Sequence, residues 1–345
     1  MTNIPDRPSP PSDRKQMVAD FALRTVVAIA LAALALLLWW LHDIVLLVFA
    51  AILVAVILHA AAAGICRIVR LPHSIALVLA GLVIVAVVAG GTMLFGREIG
   101  SQLGKLGDSL PAAWQRFAQW IGEDRVKSVM NTAMPDGSTL ASIVQSALAV
   151  ASSAVSGLIL AILGGIYLAA DPDSYRRGML AMLPHSAQSP VGEASDATAR
   201  ALRNWLLGQL VSMAATFTAV LIGLSVIGVP SALALAIVAG LLEFIPLVGP
   251  FLGAIPACLL ALTLGVESFA WTVGFFVVWQ QIEGNAMAPL VMRYAVSIPP
   301  AVTLFALFIA GGLFGVVGIL LGGPLTVAAW VMVKHLWVDT RKASA

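Results

Sequence analysis

The sequence predicts an all-α polytopic integral membrane protein of about eight membrane segments, two of them broken or re-entrant helical hairpins. Three observations carry this. Of 345 residues, 60% are hydrophobic and only 10% are charged, and the mean hydropathy is +1.00. Soluble domains run about 45–50% apolar and about 25% charged, so this chain cannot cover a water-facing surface. Apolar runs long enough to cross the hydrocarbon recur along its length. Two of the later runs carry a Gly/Pro-rich break in the middle.

A membrane helix needs about 20 mainly apolar residues for about 30 Å of hydrocarbon. On that rule a cytoplasmic tail, 1–24, precedes three transmembrane helices within 25–96, at 25–41, 44–63 and 75–96. The first follows Arg24 as a signal peptide would, but further apolar spans come after it, so it reads as an uncleaved helix. Residues 97–148 form an extracytoplasmic segment. There Leu103, Leu106, Leu110, Trp114, Phe117 and Ile121 recur at helical spacing, which fits a helix lying along the membrane. Gly96, Gly100, Gly104 and Gly107 share one stripe, readable as a close-packing face or as a loose helix end. A fourth span covers 149–170, followed by cytoplasmic amphipathic helices over 171–205, with Tyr175, Met179 and Met182 on one face and Ser189-Pro190 as cap and first helical residue. The C-terminal region, 206–333, contains spans 206–228 and 268–284 and the broken stretches 231–264 and 299–333; a cytoplasmic tail, 334–345, ends the chain.

Lys and Arg set the orientation. Arg14, Lys15 and Arg24, then Arg67 and Arg70, then Arg176, Arg177, Arg200 and Arg203, then Arg293, and finally Lys334, Arg341 and Lys342 fall on one side. That side is the cytoplasm, where both termini are then expected. The long opposite segment balances its basic residues with acidic ones and can translocate. Basic residues clustered between apolar runs argue against a nucleic-acid surface. Cys66 and Cys258 lie in or beside apolar segments and read as packing residues, neither disulfide framework nor metal site.

The broken stretches concentrate the chemistry. Ser231 to Glu243 is too short to cross before Phe244-Ile245-Pro246-Leu247-Val248-Gly249-Pro250 interrupts it. Pro246, Gly249 and Pro250 mark this break, and Gly311, Gly312 and Gly315 mark the second; Gly318 and Gly322 continue that small-residue face. Irregular backbone at depth is tolerated only where it is buried in protein or lines a wet cavity. Paired interrupted segments point to a transport site, since half-helix ends offer free carbonyls and amides. From Trp205 to Val333 the only charges are Glu243, Glu267, Glu283 and Arg293. An intramembrane carboxylate costs about 2.5–3.5 kcal/mol on insertion scales. Glu243, at the first break, therefore reads as an ion, proton or substrate group, or else as a clamp on loop amides. Glu283, within Gln280-Gln281-Ile282-Glu283-Gly284-Asn285, is either a second such group or a headgroup-level charge. Gln281 and Asn285 join the candidate set. Gln209 is either a helix-packing hydrogen bonder or a residue on the substrate path; Glu267 is a solvated turn residue.

Along these motifs the chain resembles the autoinducer-2 exporter family, which includes the PerM-like permeases. The resemblance rests on Glu243 to Pro250 continuing through Gly253-Ala254-Ile255-Pro256-Ala257, on Gln281-Ile282-Glu283-Gly284-Asn285 with Pro289 and Val291-Met292, and on the glycine run from Gly312 to Pro324. It implies a bacterial inner-membrane protein that transports without a nucleotide-binding subunit and forms homo-oligomers. It implies export of autoinducer-2 for some members and sodium or lithium for proton antiport for others. Where relatives commonly carry His-Pro after the Glu-Asn motif, this chain has Ile298-Pro299-Pro300, so any role of that histidine is missing here.

Two readings follow: a secondary transporter of a small polar solute such as autoinducer-2, coupled to ions or protons at Glu243, or a Na⁺(Li⁺)/H⁺ antiporter. A non-transporting scaffold ranks below both. Protease-type motifs around His42, His59, His73, His185 and His335 are missing, as is a phosphate-binding Gly-x-x-x-x-Gly-Lys-Ser/Thr. No enzymatic activity, ATP-hydrolysing domain, cofactor or metal is therefore expected. The expected partners are the bilayer, further copies of the chain, and a small polar solute or monovalent cation.

Overall fold

The computed structural model describes residues 40–72, 74–86, 157–287 and 298–339, with isolated helical positions between 21 and 40 and at 90 and 93. Among them every regular element is helical. The segment 97–148, expected to be extracytoplasmic, and its glycine stripe lie outside the described residues. The chain divides into Met1–Leu46 and Leu47–Ala345; the packing described below belongs to the second unit.

Helix α1 is His42–Ile68, α2 is Ser74–Ala86 and α3 is Gly157–Ala170. They meet through a small-residue core of Leu58, Ala62, Ala76, Ala80 and Ala169. Without a hydrophobic force between helices in lipid, close backbone approach supplies the contact. Gly165 shows it: a Cβ there would stand 2.6 Å from Val54 Cβ. At Asp171 the chain bends by 86° into α4, Pro172–Ala181. The Asp171 carboxylate caps α4 by accepting the Ser174 amide at 3.1 Å; the Ser174 hydroxyl and then this amide hold the carboxyl below its ordinary range. Tyr175, Met179 and Met182 are all exposed on α4.

Helix α5, His185–Ile227, runs unbroken for 43 residues, roughly 65 Å and about twice the hydrocarbon thickness. The helix passes through 205/206, where the sequence shifts from amphipathic to apolar, without a break. One expectation is corrected: the helix does not start at Ser189-Pro190, since Pro184 occupies the N-cap, Pro190 lies inside, and Ser189 hydrogen-bonds Glu193 one turn on. Gly228, at φ +82°, ends the helix, with the Val229 amide returning to the Leu224 carbonyl at 2.9 Å.

Both broken stretches fold as helical hairpins. In the first, α6 (Ala232–Leu242, 11 residues) turns back into α7 (Gly249–Leu264, 16 residues); at roughly 16 and 24 Å neither arm alone crosses the hydrocarbon. The arms touch at glycines. A Cβ on Gly249 would fall on the Leu242 carbonyl oxygen, and one on Gly253 would lie 3.0 Å from Ala239 Cα. Leu247, at the tip, adopts φ +68°, a left-handed conformation disfavoured for a branched side chain. Helix α8, Val266–Ile282, continues into a π-helical turn, Glu283–Met287.

The second hairpin, α9, covers Pro300–Val333 with non-helical angles at Gly315, φ +62° and ψ −144°. Counted by length it passes for a single long span, but its two halves lie side by side. A Cβ on Gly318 would fall on the Ala310 carbonyl oxygen, one on Gly322 would reach Leu307 Cδ2 at 2.9 Å, and one on Gly311 would reach Ile319 Cγ1 at 2.7 Å. Residues 15 apart cannot touch along a straight helix, since they stand roughly 22 Å apart there. Gly315 is therefore the reversal point, and Gly311 seats the opposite arm. Gly312 faces open space and serves neither purpose.

Candidate functional site

The first hairpin sits on α5 and α8 through a core of Val220 and Leu224 from α5, Leu235, Ala236 and Ala239 from α6, and Ala257, Leu260 and Ala261 from α7. Gly240 lets α6 approach α5, since a Cβ there would stand 2.9 Å from Phe217 Cβ. This packing places the C-terminal end of α6 against the middle of α5, so Glu243, its C-cap residue, is only 3% exposed.

Glu243 does not stand alone. The Glu283 carboxyl, from the start of the π turn after α8, lies beside it, and the Thr216 hydroxyl of α5 faces it as well. One oxygen of each carboxyl, Oε2 of Glu243 and Oε2 of Glu283, is buried without a hydrogen-bond partner. Among the described residues the close base–acid contacts are His42–Asp43 and the Arg176–Asp196 ion pair, and neither involves this pair; Arg293 lies outside the described residues. Two acceptor-only carboxylates side by side repel unless a proton or a cation is shared between them.

The surroundings hold the pair in place. Gln209 Nε2 of α5 donates to the Glu243 backbone carbonyl, one of the carbonyls that the end of α6 leaves without a helical partner. This is a helix-packing hydrogen bond, one of the two roles expected of Gln209. Its truncation, Gln209→Ala, is expected to destabilise the protein by about 1 kcal/mol, near the upper range for interhelical hydrogen bonds in membranes, measurable as a lower melting temperature in detergent. Phe244 packs edge-on to Trp205 of α5, centroids 5.8 Å apart. Pro246 and Trp205 both close over Gly323 of the second hairpin, where a Cβ would stand 2.8 Å from the Trp205 ring and 3.4 Å from Pro246 Cδ. The tip of one hairpin thus rests on the returning arm of the other.

The remaining candidates are more peripheral. Gln281 and Asn285 are exposed. Gln280 and Gln281 stand at one end of a largely apolar cavity of about 300 Å³ between α7 and α8, bordered also by Pro250, Phe251 and Cys258. Pro250 occupies the first turn of α7, where its missing N–H has no partner to lose. Thr216, Trp205 and Trp279 were not legible as site residues: in a helix rich in Ala and Thr, and in an apolar run, nothing in spacing sets them apart.

Apolar helices of spanning length, interrupted hairpins packed tip to arm, and a buried carboxylate pair at an interrupted helix end define a multi-pass helical membrane protein of the transporter class. The model of the AI-2E family transporter matches residues 28–337, and the chain belongs to that family. Similar proteins that carry the name "Putative transport protein" include YrrI of Bacillus subtilis (strain 168), 35% identical over 136 residues, 39% of this chain and 38% of YrrI. MT0215 of Mycobacterium tuberculosis (strain CDC 1551 / Oshkosh) is 43% identical over 107 residues, 31% of this chain and 29% of its own length. YhhT of Escherichia coli (strain K12) is 32% identical over 125 residues, 36% and 34% of the two chains. Each of these matches covers less than two fifths of the relative's length.

Proposed function

We propose that this protein is a secondary permease that exports a small polar solute such as autoinducer-2 and couples the flux to protons or a monovalent cation at Glu243 and Glu283. The observation that carries the reading is a buried, partnerless carboxyl oxygen on each of two adjacent glutamates, set where a hairpin breaks the helix. Such a pair stores one positive charge and releases it when the surrounding helices rearrange, and free half-helix carbonyls bind the hydroxyls or carbonyls of a solute without charged side chains. The setting is a bacterial inner membrane, with about eight segments, both termini cytoplasmic and several copies of the chain assembled together. Gln281 and Asn285, exposed near Glu283 in the chain, serve in this reading as polar groups on the approach to the site; the breaks at Pro246, Gly249, Pro250, Gly311 and Gly315 let the hairpins form.

A second reading, Na⁺(Li⁺)/H⁺ antiport, is favoured by the same pair, since two carboxylates with neighbouring carbonyls suit a small hard cation. The purified protein in one liposome preparation, assayed for autoinducer-2, Na⁺, Li⁺ and H⁺ flux, separates the two. Solute movement driven by an imposed ion gradient supports the permease. Cation-for-proton exchange with no solute movement supports the antiporter. No flux of any kind returns the protein to the scaffold reading.

A further inference from the structure

Threonines inside helices commonly turn the hydroxyl back to the carbonyl one turn earlier, and several of the described ones do. Thr198 donates to Ala194, Thr218 to Ala214, Thr272 to Ser268 and Thr326 to Gly322, at 2.6–2.8 Å. Thr216 departs from the pattern. It is 3% exposed, and its Oγ1 accepts the indole N–H of Trp279, from α8, at 3.2 Å. An indole nitrogen only donates, so this bond occupies one lone pair of the hydroxyl oxygen and leaves its hydrogen and a second lone pair for other partners. What the hydroxyl faces is the Glu243 carboxyl, whose Oε2 is buried without a partner.

We infer that Thr216 is the third member of the Glu243–Glu283 site, held in place by Trp279, and that its hydroxyl favours a bound monovalent cation over a bound proton. The inference rests on the reading of the carboxylate pair as an ion-binding site. Among the described residues no third His, Cys, Asp or Glu joins the pair, so a hard cation there must draw its further oxygen ligands from neutral groups. A hydroxyl serves both states of the site. It gives its hydrogen to a bare carboxylate, and it gives its second lone pair to a cation lying between the carboxyls. A proton shared by the two carboxyls needs no third oxygen. Trp279 acts as a positioning residue: without the indole, the Thr216 hydroxyl is free to return to the Ser212 carbonyl, as Thr198, Thr218, Thr272 and Thr326 do one turn back.

The test is Li⁺- or Na⁺-dependent proton release in proteoliposomes at fixed pH, titrated with LiCl and NaCl. Thr216→Val, which keeps the shape and removes the hydroxyl, is expected to raise the half-saturating cation concentration about tenfold, equivalent to about 1.4 kcal/mol, with little change in the maximal rate. Thr216→Ser is expected to remain near the unaltered protein, and Trp279→Phe to follow Thr216→Val. An unchanged half-saturation in both Thr216→Val and Trp279→Phe overturns the assignment. So does an equal deficit in Thr216→Ser, which would make the effect one of packing. If the unaltered protein shows no cation-dependent proton movement, the ion-site reading falls, and this inference with it.

Discussion

Glu243→Gln is expected to lower ion-coupled transport about a hundredfold while the protein still folds and inserts. The amide has the volume of the carboxyl and keeps the backbone carbonyl that Gln209 holds, so the hairpin loses no contact. What goes is the negative charge beside Glu283. A contact between a charged group and its partner is worth up to about 3 kcal/mol, which corresponds to roughly two decades in affinity. In inverted vesicles the result to expect is loss of cation-dependent proton release at unaltered protein level. A variant that retains full coupled flux would take Glu243 out of the mechanism.

The second large effect is structural. Gly249→Val and Gly318→Val are each expected to prevent stable folding, because the first Cβ atom already coincides with a backbone carbonyl on the opposite arm, that of Leu242 and of Ala310 respectively. Overpacking against side chains costs about 1–3 kcal/mol, and a backbone that cannot withdraw puts the figure at the top of that range or above. The control is Gly274→Ala in α8, where the added atom meets open space; there the change is expected to be neutral or to gain about 1 kcal/mol of helix propensity. Yield and melting temperature in detergent measure all three. A Gly318→Val protein as stable as the control would mean that the two halves of α9 do not lie side by side.

Much of this architecture is written locally in the chain. A carboxylate placed before Phe244-Ile245-Pro246 in an otherwise apolar stretch, with too few residues ahead of it to span, marks the hairpin and the buried carboxyl at its break. The glycine run does the same for the reversal at Gly315. Partnership is what local pattern does not carry. Glu283 stands 40 residues beyond Glu243, and only the return of α7 into α8 brings the two together, so by itself it reads equally well as a headgroup charge. Thr216 looks like any other threonine of α5 until the partner of its hydroxyl is seen. The continuity of α5 through 205/206 is likewise not legible: composition shifts there from amphipathic to apolar, yet the helix runs on and ends only at Gly228, where the backbone turns left-handed ahead of Val229-Pro230.

The central claim is that Glu243 and Glu283 form one site, and a double-mutant flux cycle tests it most directly. Coupled flux is measured for the unaltered protein, Glu243→Gln, Glu283→Gln and the double variant in the same liposomes. If the pair shares one positive charge, either single change disables the site and the double variant is no worse than Glu243→Gln alone, as for residues that act as a unit. Losses that multiply in the double variant would mean two independent groups and would contradict the account.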